Sequence, residues 1–201
     1  GVPVEVFAGA DQGFRVTVDQ LDAAKTDNTK AIIFVSPSNP TGAVYPKDEI
    51  AAIGAWAVEN DVWLITDEIY EHLVYGDKRH HSIAAVVPDV MDKCVILNGV
   101  AKTYAMTGWR VGHAVAPPEI AQLIINCQEP TVSCVNAPAQ YGAIAALDGP
   151  QDVVLQMRDA YRERRDEVLR LLSSSGIDAH KPGGAFYIWV DITDSGRSDM
   201  D

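Results

Sequence analysis

The sequence predicts an α/β fold, a mostly parallel sheet flanked by helices, and three observations carry that prediction. The runs AIIFV (Ala31 to Val35) and VWLI (Val62 to Ile65) are short, apolar and β-branched enough to be buried strands. Between them, Pro46 to Asn60 opens on a proline, has acids in its first turn and carries apolar residues at helical spacing. A third apolar run, CVIL (Cys94 to Leu97), extends the rhythm. Strand, helix, strand in that order implies right-handed crossovers and parallel pairing.

The remaining elements follow from the same periodicities. Val2 to Phe7 alternates apolar and polar residues like a strand, and Val18 to Ala24, opened by Asp19, reads as a short helix. Beyond the third strand, Trp109 to Ala116 reads as one more, while Pro118 to Gln128 and Pro138 to Leu147 are helical by pattern. Asp152 to Leu172 is a long amphipathic helix with Val153, Met157, Tyr161, Val168 and Leu172 on or near one face, stopped by Ser173 to Gly176. Gly184 to Asp191 resumes strand character, and a polar stretch, Thr193 to Asp201, follows. No internal repeat or low-complexity tract is present.

Composition narrows the function classes. A chain of 201 residues can bury roughly 70% of its unfolded surface and needs no disulfide or metal staple. A net charge of -12 and a pI near 4.7 argue against nucleic acid or an anionic membrane as partner, since both demand basic surface. The longest apolar stretches, such as Ile50 to Val58, are about half of what a bilayer crossing needs, and the amino terminus does not read as a signal peptide. Cys94, Cys127 and Cys134 are odd in number and lack metal-ligand spacing, which fits reduced thiols in a cytoplasm. The His80 and His81 pair, in a polar loop, forms no evident metal cluster with cysteines or acids.

The most informative stretch is Leu97 to Gly112, LNGVAKTYAMTGWRVG. Lys102 and Arg110 stand among small residues and glycines that allow a ligand close to the backbone, and Lys102 falls just beyond a strand's carboxyl end. Gly99, Lys102 and Thr103 match part of the phosphate-loop pattern G-x-x-x-x-G-K-[ST], but Ala101 stands where its second glycine belongs, so that reading fails. By itself a loop lysine is far more often a solvated charge than a catalyst.

Two further motifs change that balance: SPSNPTG, Ser36 to Gly42, and TDEIYEHLVY, Thr66 to Tyr75. Together with Gly99, Val100, Ala101, Lys102, Ala105, Met106, Gly108, Arg110, Val111 and Gly112, they make the chain resemble the class I and II aminotransferases, fold type I enzymes of the aspartate aminotransferase type. The resemblance covers nearly the whole chain with three motifs in order. It implies pyridoxal 5'-phosphate as cofactor, residues 1–160 as most of a cofactor-binding large domain, and residues 161–201 as a connecting helix and the start of a small α+β domain. It further implies small-molecule amino acid and 2-oxo acid substrates, a homodimer in the complete protein and a cytoplasmic location.

Carried onto this sequence, the resemblance assigns roles that the side-chain chemistry supports. Lys102 supplies the amine that holds the cofactor as a Schiff base and then shuttles the substrate's α-proton. Neighbouring positive charge from Arg110 is expected to favour its neutral form. Asp67 sits at the ring nitrogen, where a carboxylate within about 4 Å gains roughly 4 kcal/mol at an effective dielectric near 20. On spacing alone, Asp67 reads as a cap before Glu68 and Ile69. Asn39 and Tyr70 are the donors to the phenolic oxygen, against plain readings as a turn asparagine and a half-buried tyrosine. Arg110 grips the phosphate with its forked donors.

Other residues receive quieter roles. Glu68 and Glu71 read as surface charges, and Tyr104 and Trp109 as packing residues. Gly183 and Gly184 beside Phe186 match a family turn with no evident chemistry. Ser36-Pro37 and Asn39-Pro40 are candidates for cis peptides. The resemblance also implies that an amino-terminal portion and the arginine that clamps the substrate carboxylate lie outside this chain, so that the chain alone is expected to transaminate poorly. Two alternatives remain: a pyridoxal-phosphate carbon-sulfur β-lyase, built on the same motifs, and a non-catalytic aminotransferase-like sensor domain.

Overall fold

A four-stranded sheet in the order β1-β2-β3-β4 frames the computed structural model, which describes residues 1–196 and residue 198. β1 (Ala31–Val35), β2 (Trp63–Asp67) and β3 (Cys94–Gly99) run parallel. β4 (Gly112–Val115) returns antiparallel beside β3, pairing Gly112 with Gly99 and Val115 with Ile96. The strand expected from Trp109 starts later, because Thr107–Trp109 forms a 3-10 turn and Arg110 takes a left-handed φ of 57°. The mostly parallel α/β architecture is therefore the one the sequence predicts.

One face of the sheet carries the core. Ile32, Phe34, Leu64, Cys94 and Ile96, alternate residues of the three parallel strands, pack against Ile50, Ile53 and Trp56 of α2 (Lys47–Glu59) and Ile83 and Ala84 of α3 (Ile83–Val86). The buried positions of α2 follow a helical period, and Asp48 and Glu49 in its first turn complement the helix dipole. α1 (Val18–Ala24) adds Leu21 and is held by a capping box between Thr17 and Gln20, so Thr17 rather than Asp19 opens it. The opposite sheet face is partly open: Ile33 is 77% and Leu97 38% exposed. That face is covered at Val95, which is 8% exposed, and open towards β1 and the end of β3.

The carboxy-terminal half is helical. α4 (Pro118–Val132) runs past the expected Gln128 and carries Pro130 within its last turn. α5 (Ala137–Asp148) is capped by Asn136, whose side chain accepts from Ala139 N at 3.2 Å. α6 (Asp152–Ser174) runs two residues past the expected Leu172 and stops at Ser175 and Gly176, within the expected stop Ser173 to Gly176. Its buried residue is Val154, whereas Val153 and Val168, placed on the contact face by the sequence pattern, are 49% and 42% exposed.

Two expected strands do not form. Val2, Val4 and Phe7 are exposed, and although Val6 touches the core edge, the segment pairs with no strand among the described residues. Gly184 to Asp191 is extended coil that makes isolated bridges, Val74 with Gly184 and Ala179 with Val190. In the polar stretch after it, Thr193–Ser195 is a 3-10 turn, and residues 197 and 199–201 lie outside the described residues. Among the described residues no helix is long and apolar enough to cross a membrane.

Candidate active site

The carboxyl ends of the three parallel strands deliver the residues that the sequence singles out. β1 runs into the SPSNPTG loop that carries Asn39, β2 ends on Asp67 itself, and β3 ends at Gly99, shortly before Lys102. Ligands of open parallel sheets gather at this edge because the connecting loops there are free to vary around a rigid frame.

Local geometry directs each loop. The peptide bonds before Pro37 and Pro40 are both cis, and Gly42 N donates to Ser38 O at 2.9 Å to close the first loop. Gly42 has a φ of +69°, and a Cβ there would lie 2.2 Å from Pro182 Cβ, so only glycine lets this loop close on the later segment. After β2, Asp67 Oδ1 accepts from Ile69 N at 3.0 Å, which caps the turn leading to Tyr70. The capping role expected of Asp67 is thus real but serves a turn, since no helix follows. After β3, Ala105 N bonds to Lys102 O at 3.2 Å and folds the lysine into a tight turn.

A cavity of about 350 Å³ results, lined by Asn39, Asp67, Tyr70 and Lys102 together with Asn98 and Tyr187. Four of the five residues proposed from the sequence therefore share one lining. Arg110 does not. It lines a larger opening of about 800 Å³ on the same loop, with Gly108, Trp109, Cys134 and Asn136, and is the one charged side chain among its described lining. Arg110 is exposed there, and its Nη1 donates to Thr107 O at 3.0 Å.

Inside the smaller cavity the side chains are held by aromatic neighbours. Lys102 Nζ lies 5.3 Å from the centroid of the Phe186 ring, a cation–π distance. Tyr70 is 2% exposed, and its hydroxyl lies 2.8 Å from that of Tyr187. Burial, then the hydroxyl of Tyr187 and the charge of Asp67, push the Tyr70 phenol well above its ordinary value of 10.0. Tyr70 therefore keeps its phenolic proton at neutral pH, and its bond with Tyr187 can run in either direction.

Nothing in the residue types or spacing of Phe186 and Tyr187 marks them for a chemical role. Their one signal is the GGAFY turn, and the structure gives its glycine a purpose. A Cβ on Gly184 would sit 2.7 Å from Pro37 Cβ and 3.0 Å from Leu73 O, so glycine allows the segment to nest against the first loop. Ala185 N then donates to Leu73 O at 2.9 Å, and the two aromatic residues that follow are set against Tyr70 and Lys102.

Three readings need correction. Glu68, expected at the surface, is 4% exposed because Thr66, Ser82 and His80 surround its carboxylate. Glu71 is half-buried, its Oε1 accepting from Asn98 Nδ2 at 2.7 Å. His80 joins these two acids, with one ligand-type atom from each lying within 4.8 Å of the others, a grouping created by a loop closure that residue spacing does not encode. Of the two expected packing residues, Tyr104 is partly buried and bonds Gln151 Oε1 at 3.0 Å, while Trp109 is half exposed.

The same frame recurs in known proteins. Against solved structures, the chain superposes with a TM-score of 0.92 on an aromatic aminotransferase from Pyrococcus horikoshii, at 41% identity, covering 97% of this chain and 52% of that one. It also superposes with a TM-score of 0.89 on an aspartate aminotransferase from Thermus thermophilus determined with maleate, at 38% identity, over 95% of this chain and 50% of that one. In sequence it is 50% identical over 193 residues to an aspartate aminotransferase of Streptomyces avermitilis, covering 96% of this chain and 47% of the relative. It is 44% identical over 193 residues to an asparagine–oxo-acid transaminase of Streptococcus mutans, covering 96% and 49%. The chain thus spans about half the length of the relatives it matches. The model of the family "Aminotransferase class I and II" matches residues 1–201, and with the strand-end cavity that match identifies the chain as a member of this aminotransferase family.

Proposed function

We propose that the chain forms the cofactor-binding centre of an aminotransferase that moves an amino group between an α-amino acid and a 2-oxo acid with pyridoxal 5'-phosphate. The observation that carries this reading is the convergence of Asn39, Asp67, Tyr70 and Lys102 on one cavity of about 350 Å³ from three separate strand ends. That volume suits a small cofactor. The donor set also fits the group: an amine for an aldehyde, a carboxylate for a ring nitrogen, an amide and a phenol for an oxyanion. When bound, the cofactor supplies an electron sink for the carbanion formed at the substrate's α-carbon.

The chain's own residues do the rest. Lys102 would hold the aldehyde through its Nζ and, once released, take the proton from the α-carbon of the amino donor in one half-reaction and deliver one to the α-carbon of the new amino acid in the other. Asp67 holds a proton on the ring nitrogen by charge pairing. Asn39 Nδ2 and the Tyr70 hydroxyl orient the phenolic oxygen. Arg110, the charged side chain of the larger opening eight residues further along the same loop, is assigned to the phosphate, which its fork can grip at two oxygens. On this reading residues 1–160 belong to the cofactor-binding domain and 161–201 to the connecting helix and the start of a small domain. A cytoplasmic homodimer is the assembly we propose for the complete protein.

The test uses the cofactor directly. Adding pyridoxal phosphate to the chain is expected to give a yellow species that borohydride fixes on Lys102, identified by mass spectrometry of the peptides, and Lys102→Ala is expected to abolish both. Label spread evenly over surface lysines, or undiminished in the variant, refutes the reading. Aspartate is the first amino donor to try, since relatives at 40% and 50% identity are aspartate aminotransferases.

A further inference from the structure

Two hydroxyls meet inside the cavity, those of Tyr70 and Tyr187, 2.8 Å apart and 117 residues apart in sequence. We propose that Tyr187 is a positioning residue for Tyr70: by donating to the Tyr70 oxygen, it turns the Tyr70 proton toward the phenolic oxygen of the bound cofactor. This rests on the function proposed above, which makes Tyr70 a donor to that oxygen.

The argument begins with proton counting. Each phenol carries one proton and can accept as well as donate, so the shared bond can run in either direction. If Tyr70 donates to Tyr187, its only proton is spent and the cavity loses a donor. If Tyr187 donates instead, the Tyr70 proton is free for the ligand, and the chain from Tyr187 through Tyr70 to an anionic oxygen strengthens by mutual polarisation.

Three features favour the second direction when an oxyanion is present. Tyr70 is 2% exposed, and the Tyr187 hydroxyl is a protein group within hydrogen-bond distance of its oxygen, in place to serve as its donor. Asp67 lines the same cavity and opposes any build-up of negative charge on Tyr70, which a second donor offsets. The geometry is also built rather than incidental. Phe186 stands edge-on to Tyr70 at 5.4 Å and tilted against Tyr187 at 4.9 Å, and Gly184 seats the segment on Pro37 and Leu73.

A double-mutant cycle decides the matter. Tyr187→Phe, Tyr70→Phe and the double variant are each loaded with pyridoxal phosphate, and two quantities are read: the cofactor dissociation constant and the pH midpoint of the visible absorbance change. Tyr187→Phe is expected to weaken binding by about 3-fold to 10-fold, the size of one neutral hydrogen bond. It is also expected to move the midpoint in the same direction as Tyr70→Phe, by less. In the Tyr70→Phe background, the second substitution is expected to change neither quantity. A purely structural Tyr187 would lower the thermal midpoint in both backgrounds without that coupling. An effect of equal size in both backgrounds, or none in either, overturns the inference while capture on Lys102 persists. Loss of capture on Lys102 in the unsubstituted chain overturns the proposed function and this inference together.

Discussion

Glu68 follows Asp67 in sequence but answers to a different set of partners. Its Oε1 accepts from Ser82 Oγ at 3.0 Å and Thr66 Oγ1 at 3.3 Å, and its Oε2 lies 3.2 Å from His80 Nε2. Burial pushes its carboxyl upward, but the His80, Ser82 and Thr66 contacts together outweigh burial and hold it below the ordinary 4.5. A carboxylate lowered on folding stabilises the native state above its unfolded pKa, and that contribution drains away as pH falls through the lower folded value. Glu68→Gln is therefore expected to cost about 1.5–3 kcal/mol at neutral pH, the worth of hydrogen bonds to a charged group. It is also expected to flatten the loss of stability below pH 4.5, as read by denaturant titrations at several pH values. Parallel acid-side declines in the two proteins would show that acid attacks some other group. The residue also shows where a sequence stops informing. The shared cavity of Asn39, Asp67, Tyr70 and Lys102 was legible because each lies in a motif at or shortly after a strand end, whereas two of the three partners of Glu68, His80 and Ser82, lie 12 and 14 residues away across a loop. Tyr187 was illegible for the same reason at 117 residues, since spacing says nothing about which distant loop closes over a cavity.

At the scale of elements, periodicity served where a segment carries its own cap or its own buried stripe. The span of α2 follows from Pro46, two acids and a helical apolar period, while α1 forms where expected but on a Thr17–Gln20 box and not on Asp19. Alternation alone served less well, because it states a preference of face and not the presence of a neighbour. Val2 to Phe7 alternates yet has no ladder, and Gly184 to Asp191 spends its backbone on isolated bridges and on seating aromatic residues. α4 passes the expected stop at Gln128 and takes in Pro130, whose ring has no N–H to give the carbonyl one turn back, and the helix ends two residues later at Val132. Two substitutions separate an element that builds the site from one that only folds. Gly184→Ala puts a Cβ 3.0 Å from the Leu73 carbonyl oxygen and 2.7 Å from Pro37 Cβ, and overpacking of this kind costs about 1–3 kcal/mol. Because Tyr187 and Phe186 ride on that segment, cofactor capture on Lys102 is expected to fall with it. Thr17→Ala, which removes the acceptor for Gln20 N, is expected to cost about 1 kcal/mol and leave capture unchanged. Thermal melts paired with borohydride capture read both, and equal loss of capture in the two variants would detach the GGAFY turn from the site.

For the molecule as a whole, the three thiols report on whether the layers hold together. Cys94 lies on the covered face of the sheet, in register with Leu64 and Ile32, and is 1% exposed. Burial, and then the charge of Glu68, push its thiol up to about 11, so little thiolate forms even when a reagent arrives. Cys127 on α4 and Cys134 just beyond it are exposed. The open sheet face does not change this contrast, because Ile33 and Leu97 point to the side opposite Cys94. A chromogenic disulfide reagent at pH 8 is therefore expected to modify two thiols quickly and the third only as fast as the sheet opens from α2 and α3. Added denaturant should accelerate that third reaction in step with global unfolding. Three fast thiols would mean that the helix layer does not hold β3 in a chain of this length. Protection of Cys127 and Cys134 as well would mean that the exposed surface of α4, where Leu123 is 57% and Ile125 55% exposed, is covered by a second molecule.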